Sequence, residues 1–422
     1  MWTQSINITD LRKMDECIRE VMNRNKAKYK LQINSSLYLR RDKGGRGLRN
    51  MEMNYKCTKI KTAIKVLQDN DPKMVLVRRF DIARKEKRRK SFINDAILYA
   101  KNDFDSELNI NQNEFTFKFK KDENMETTSD YYVVANYLKE KQASNFEESL
   151  IRSTWQGLLI KERLSDPNIN TKECFMWNCK WKTCPIEVVN DIQSIYLQTI
   201  PTLAFQKYRG GENITSTNCR ICKKDEIESI KHILSHCEAF LNTFYKRRHD
   251  RVLQHILYNY LFKQKLLEKC PPWFSKIEIK SKYENDDILL LWDIPEYSER
   301  EENEEENTLR PDGKLILKNE KVIYILEQTV PWISNRNAGM EKKENKYRNI
   351  LRSIKLDYPD YEVSQLTFII DCLGGYDHLL KENIGKLGFT KHESNTILIG
   401  IQKIVMSEAR ETINHFKILT IL

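Results

Sequence analysis

The sequence predicts an α+β, multidomain protein with a helical N-terminal half, a small cysteine- and histidine-clasped module, and a C-terminal α/β domain. Three observations carry this. Apolar residues in the first half recur at three- and four-residue intervals, the spacing of helix faces. Six of the ten cysteines fall between positions 174 and 237. From Cys270-Pro271-Pro272-Trp273 onward the pattern changes to short apolar runs separated by turns, and a double proline is a plausible boundary. The 422 residues suffice for two or three domains of roughly 100–200 residues each. The expected segments are 1–130, 131–215, 216–262 and 272–422.

Composition narrows the function. Hydrophobic residues make up 40% of the chain, which excludes wholesale disorder. No run approaches the ~18–20 apolar residues of a membrane span, and the longest, 288–292 and 366–370, are strand-sized. No apolar segment follows a basic start, so an intracellular protein with reduced cysteines is expected. The net charge of +11 favours a polyanionic partner, nucleic acid above all, against the competing reading of a lysine-rich solvated surface.

In chain order, residues 9–24 read as a helix with Leu11, Met14, Ile18, Val21 and Met22 on one stripe. The glycine-rich run 44–47 makes a tight turn before a second helix over 50–68. Arg84, Lys85, Lys87, Arg88, Arg89 and Lys90 end the densest basic cluster, a candidate phosphate contact or nuclear address. Residues 115–119 alternate with period two and predict a short strand in an otherwise loop-rich stretch, 103–130. Helices are expected over 150–163 and over 186–208, the second interrupted near Pro201.

Cys219-x2-Cys222-x9-His232-x4-Cys237 is the first strong constellation. A Cys-x2-Cys turn supplies two zinc ligands, and a histidine and cysteine five apart supply the others of a tetrahedron. His236 is a rival for His232, whereas Cys174, Cys179 and Cys184 read as core residues. Phe244 and Tyr245 then open a helix whose basic first turns, with Lys246, Arg247 and Arg248, suit phosphate contact.

The second constellation is Arg310-Pro311-Asp312, Glu327, and Lys343-x2-Lys346-Tyr347. Residues 315–317 and 322–326 read as the strands of a hairpin that returns the chain, so Asp312 and Glu327 meet at one end. Two converging carboxylates form a hard-oxygen site for Mg2+. Lys343, Lys346, Tyr347, Ile350 and Ile354 share one face of a helix over 341–356, from which a lysine can reach the acids. Asp293 is a weaker candidate for a third acid. The acidic run 298–307 reads as a solvated loop.

Hairpin, helix and strand with this Pro-Asp, Glu and Lys series resemble the restriction-like PD-(D/E)xK nuclease fold, which implies a central mixed sheet. The two constellations in this order resemble the C-terminal half of non-LTR retrotransposon polyproteins of the restriction-like endonuclease class, the kind that insert into ribosomal RNA genes. The segments 291–295 and 326–331 are similar to that family, and 44–48 resembles its thumb region just after the polymerase. The resemblance implies a structural Zn2+ on the knuckle, a catalytic Mg2+ on Asp312 and Glu327, and Lys343 or Lys346 serving the nucleophile or transition state. It also implies target-DNA nicking, a nuclear location, and DNA, element RNA and a reverse transcriptase acting in trans as partners. No Tyr/Phe-x-Asp-Asp polymerase motif occurs in the sequence. A fragment, a degenerate copy or a host-captured gene each accommodates this, and the alternative function is non-catalytic nucleic-acid binding.

Overall fold

The computed structural model describes residues 6–421 apart from 88, 112–113, 170, 212, 276–278 and 296–309. Arg88 and the acidic run 298–307 lie outside the described residues. The chain divides into two compact units, Met1–Thr154 and Trp155–Leu422.

The first unit holds α1 (Ile8–Arg24), α2 (Ser35–Tyr38), α3 (Met51–Gln68), α4 (Pro72–Glu86) and α5 (Phe92–Phe104). An antiparallel sheet follows, with β1 (Ser106–Asn111), β2 (Glu114–Lys121) and β3 (Asn124–Thr128), and then α6 (Tyr131–Ile151). Side chains of Asn7, Asn50, Asp71, Ser91 and Asp130 cap five of these helices by accepting first-turn N–H groups, each worth about 1 kcal/mol. The glycine turn is as tight as its sequence suggests: a Cβ on Gly45 would lie 2.1 Å from the Leu39 carbonyl oxygen.

Two expectations change here. The stretch 103–130 is a sheet rather than mainly loop, and its alternate residues Leu108, Phe115, Phe117 and Phe119 are buried against Ile60, Ala96 and Val134. The boundary expected after 130 falls at 154, because α6 packs on α2 and α3 of the first unit.

The second unit begins with α7 (Leu158–Ser165), α8 (Thr171–Cys174), α9 (Met176–Lys180), α10 (Ile186–Tyr196), α11 (Leu203–Tyr208) and α12 (Ile230–Ser235). A π-helical turn, Leu241–Tyr245, leads into α13 (Lys246–Lys263). Next come β4 (Lys282–Glu284), β5 (Ile288–Trp292), β6 (Gly313–Leu317), β7 (Val322–Thr329), α14 (Arg336–Asp357), β8 (Glu362–Ile369), α15 (His378–Lys386) and α16 (Lys391–Ile421). The sheet runs β4-β5-β6-β7-β8; its first four strands are antiparallel and β8 is parallel to β7. A parallel neighbour requires a crossover, and α14 supplies it.

Helix α14 buries Tyr347, Ile350 and Ile354 on Ile316, Ile323 and Ile325 of the sheet. Helix α13 packs on β7 and along α16, and α16 also receives α9, α10 and α12. The segments 131–215, 216–262 and 272–422 therefore do not form three modules of their own. Everything from Trp155 onward shares one body around the mixed sheet and α16.

Candidate active site and metal clasp

The hairpin register sets the acid pair. Gly313 faces Leu326 across the β6–β7 ladder, so Asp312, one residue earlier, falls opposite Glu327. The two are stitched reciprocally: Asp312 N donates to Glu327 Oε1 at 3.2 Å, and Gln328 N donates to Asp312 Oδ2 at 2.8 Å. Glu327 shares the β7 face of Ile323 and Ile325, the face that α14 covers.

Lys343 on α14 reaches both acids. Its ammonium is hydrogen-bonded to Glu327 Oε2 and lies 3.7 Å from Asp312 Oδ2. One turn on, Tyr347 donates to the Arg310 carbonyl at 3.1 Å and accepts from Lys346 Nζ at 2.9 Å. Of the five expected residues, Asp312, Glu327, Lys343 and Tyr347 converge, and Lys343 rather than Lys346 lies on the carboxylates.

A residue absent from the sequence-based site completes it. His249 on α13 places Nε2 3.2 Å from Asp312 Oδ2 and 2.9 Å from the Gln328 carbonyl oxygen, while Nδ1 meets Asp250 Oδ1 at 3.0 Å. In the sequence it sits inside a basic run, and no local spacing ties it to Asp312.

Electrostatics pull these groups apart. Burial raises the Glu327 pKa, and the neighbouring Asp312 charge raises it further against Lys343. Burial would raise Asp312 too, but the hydrogen bond and charge of His249 outweigh it and hold that carboxyl low. Burial acts against protonated His249, yet Asp250 and Asp312 raise it to about 9. Divergent proton affinities of neighbouring acids occur at acid–base and metal sites and also in structural ion-pair networks.

Other expected residues stay apart. Asp293 does not join the acids; its carboxylate pairs with Arg310 Nε at 2.8 Å. Arg248 is buried, donates to the Leu234 carbonyl at 2.7 Å, and is therefore withdrawn from phosphate contact. Arg247 is committed to Glu408 and Glu411 at 2.6 and 2.5 Å, which leaves Lys246 as the exposed cation of that turn. In the first unit, Lys85, Lys87, Arg89 and Lys90 are exposed around the end of α4, and Arg84 rests on the Phe80 ring.

The Cys/His clasp is assembled. Ligand atoms of Cys219, Cys222, His232 and Cys237 all lie within 4.8 Å of one another. Cys219 and Cys237 sulfurs are 4.0 Å apart, and Cys222 Sγ is 3.4 Å from His232 Nε2. A tetrahedron on ~2.3 Å Zn–S and ~2.1 Å Zn–N bonds has edges of roughly 3.5–3.8 Å, so donors and spacing suit zinc. His236 stays outside the cluster and bonds Ser235 at 2.7 Å.

The clasp is built on local structure. Lys223 takes a left-handed φ of 56°, closing the Cys-x2-Cys turn. Buried Glu228 accepts from Arg220 and from the Leu203 N–H, securing the loop. Tyr245 Oη bonds the Cys237 N–H and the His232 and Ile233 carbonyls, so the clasp runs directly into α13 and His249.

No protein-family profile and no curated protein matches this chain. Among the described residues, no helix is long and apolar enough to cross a membrane.

Proposed function

We propose that this protein is a Mg2+-dependent DNA endonuclease of the restriction-like type, derived from the post-polymerase part of a non-LTR retrotransposon polyprotein. The observation behind it is the convergence of Asp312, Glu327 and Lys343 from two strands and a helix, buttressed by His249. Zinc on the four-residue clasp is structural in this reading.

The acid pair suits a hard divalent cation. Three oxygen donors, the two carboxylates and the Gln328 carbonyl, converge on cationic groups, Lys343 and His249, where positive charge is evidently favoured. Asp312 and Glu327 would hold Mg2+. When bound, that ion polarises the scissile phosphate and lowers the pKa of a water nucleophile.

The protein's own groups set the geometry. His249 fixes the Asp312 carboxylate against the Gln328 carbonyl. Lys343, one-fifth exposed, stands where its ammonium stabilises charge developing on a phosphoryl oxygen. Tyr347 anchors the Arg310 carbonyl and so the approach of Pro311-Asp312 to the sheet. DNA is the substrate. Element RNA and a reverse transcriptase acting in trans are the proposed partners, and the basic residues 84–90 serve as phosphate contacts or nuclear address.

A second reading, nucleic-acid binding without cleavage, draws on one observation: Lys343 and His249 already pair with the two carboxylates. Purified protein with supercoiled plasmid and Mg2+ separates the two. Nicking by the wild type and none by Asp312→Ala or Glu327→Ala, with binding retained, supports the nuclease. An intact plasmid that all three proteins shift on a gel supports binding alone.

A further inference from the structure

Beside the metal clasp lies a cavity of about 740 Å³ that the acid site does not use. Trp155, Tyr208, Lys207, Lys231 and Ile227 line it, together with the zinc ligand His232. Its volume falls in the range of small-ligand sites, roughly 300–1,000 Å³.

The aromatic pair is rigid. Trp155 Nε1 donates to the Gln198 carbonyl at 2.9 Å, and the Gln198 amide returns a bond to the Trp155 carbonyl at 3.2 Å. Tyr208 stacks on this fixed indole, with ring centroids 4.6 Å apart and planes 23° off parallel, and remains 51% exposed. Ile227 is exposed on the same wall. A half-exposed tyrosine stacked on a braced indole offers a stacking platform for a base.

The charges around it have a sign. Lys207 and Lys231 are exposed, and neither ammonium has a salt-bridge partner among the described residues. Glu226 is the one acid among the lining residues. Stacking surface and exposed lysines in one concavity match a base and its flanking phosphates. In a duplex the base faces are covered by their neighbours, so such a pocket takes an unpaired base.

We propose that this pocket binds an unpaired nucleobase of a single-stranded nucleic acid, with the base on Tyr208 and its phosphates near Lys207 and Lys231. The proposal rests on the nucleic-acid reading above and is independent of cleavage.

Fluorescence anisotropy of the full chain with labelled oligo(dT) tests it, because this measurement reads binding even if the nuclease is inert. Tyr208→Ala is expected to weaken binding about tenfold or more, the range for one stacked base, while Tyr208→Phe keeps near-wild-type affinity. The Lys207→Ala, Lys231→Ala double variant is expected to flatten the salt dependence. Unlabelled single strand should compete better than a duplex of the same length. Wild-type affinity in Tyr208→Ala, equal competition by duplex, or no binding of oligo(dT) by the wild type would overturn the proposal. Failure of plasmid nicking alone would not.

Discussion

Two clusters in the second unit both pair buried carboxylates with cations but differ in their access to solvent. In one, Asp371 is fully buried between Arg163 and Arg336. Arg163 grips it with two nitrogens, and the backbone N–H groups of Leu373 and Gly375 donate to Asp371 Oδ1 at 2.9 and 3.0 Å. In the other, Asp312, Lys343 and His249 keep 21–26% of their side-chain surface open to solvent around buried Glu327. The first has every carboxylate oxygen matched and no access, and so serves the fold. The second is partly open to solvent and holds its two acids at different proton affinities, as the proposed active site requires.

The largest effect should come from breaking the sealed cluster. Asp371→Asn leaves Arg163 buried without its counter-ion, which typically costs about 3–5 kcal/mol, and denaturant titration of the second unit should show it. Gly375→Ala reaches the same end by sterics, since its Cβ would lie 1.6 Å from Arg163 Nη1. Asp312→Asn, in the open cluster, should shift the same midpoint far less. Equal losses in both would erase the distinction between the clusters.

Metal removal comes next. Purified protein is expected to carry one zinc per chain by elemental analysis, and Cys222→Ser to lose it. Zinc binding contributes directly to folding free energy, so chelation should lower the melting temperature. Tyr245 ties the clasp to α13, so the stripped protein should also lose tightness around His249. Zinc-free protein with an unchanged melting curve would sink the structural role.

The smallest effect separates two histidines on α13. Burial, with help from Arg251 and Lys403, lowers His255 to about 4. Its stabilising contribution is present above the unfolded value near 6.5 and is lost as pH falls towards 4. For His249, burial opposes the charge but Asp250 and Asp312 raise it to about 9. That contribution is complete below about 6.5 and is lost as pH rises through 9. Stability against pH should lose its acid limb in His255→Gln and its alkaline limb in His249→Gln; any other pattern contradicts the assignment.

Legibility in the sequence followed distance along the chain. The clasp and the Asp312–Glu327 pair were readable because cysteine spacing and a short hairpin fix geometry locally. His249 was not, since it reaches Asp312 from a helix whose own pattern is basic and apolar. The Arg163–Asp371 pair was equally hidden, its members lying on a helix and a strand end remote in sequence. In the first unit, the phenylalanine alternation revealed β2, while β1 and β3 escaped because their residues are mostly polar, and the β2–β3 turn is Asp122-Glu123 rather than a glycine pair. Arg247 and Arg248 read as phosphate contacts because charge is visible in sequence and burial is not.

Nicking of supercoiled plasmid in Mg2+, measured beside melting curves for wild type, Glu327→Gln and Asp371→Asn, tests the central claim most directly. The open cluster as active site predicts a folded but inactive Glu327→Gln and an unstable Asp371→Asn. Full nicking by a well-folded Glu327→Gln, or none by the wild type under any divalent cation, would contradict it.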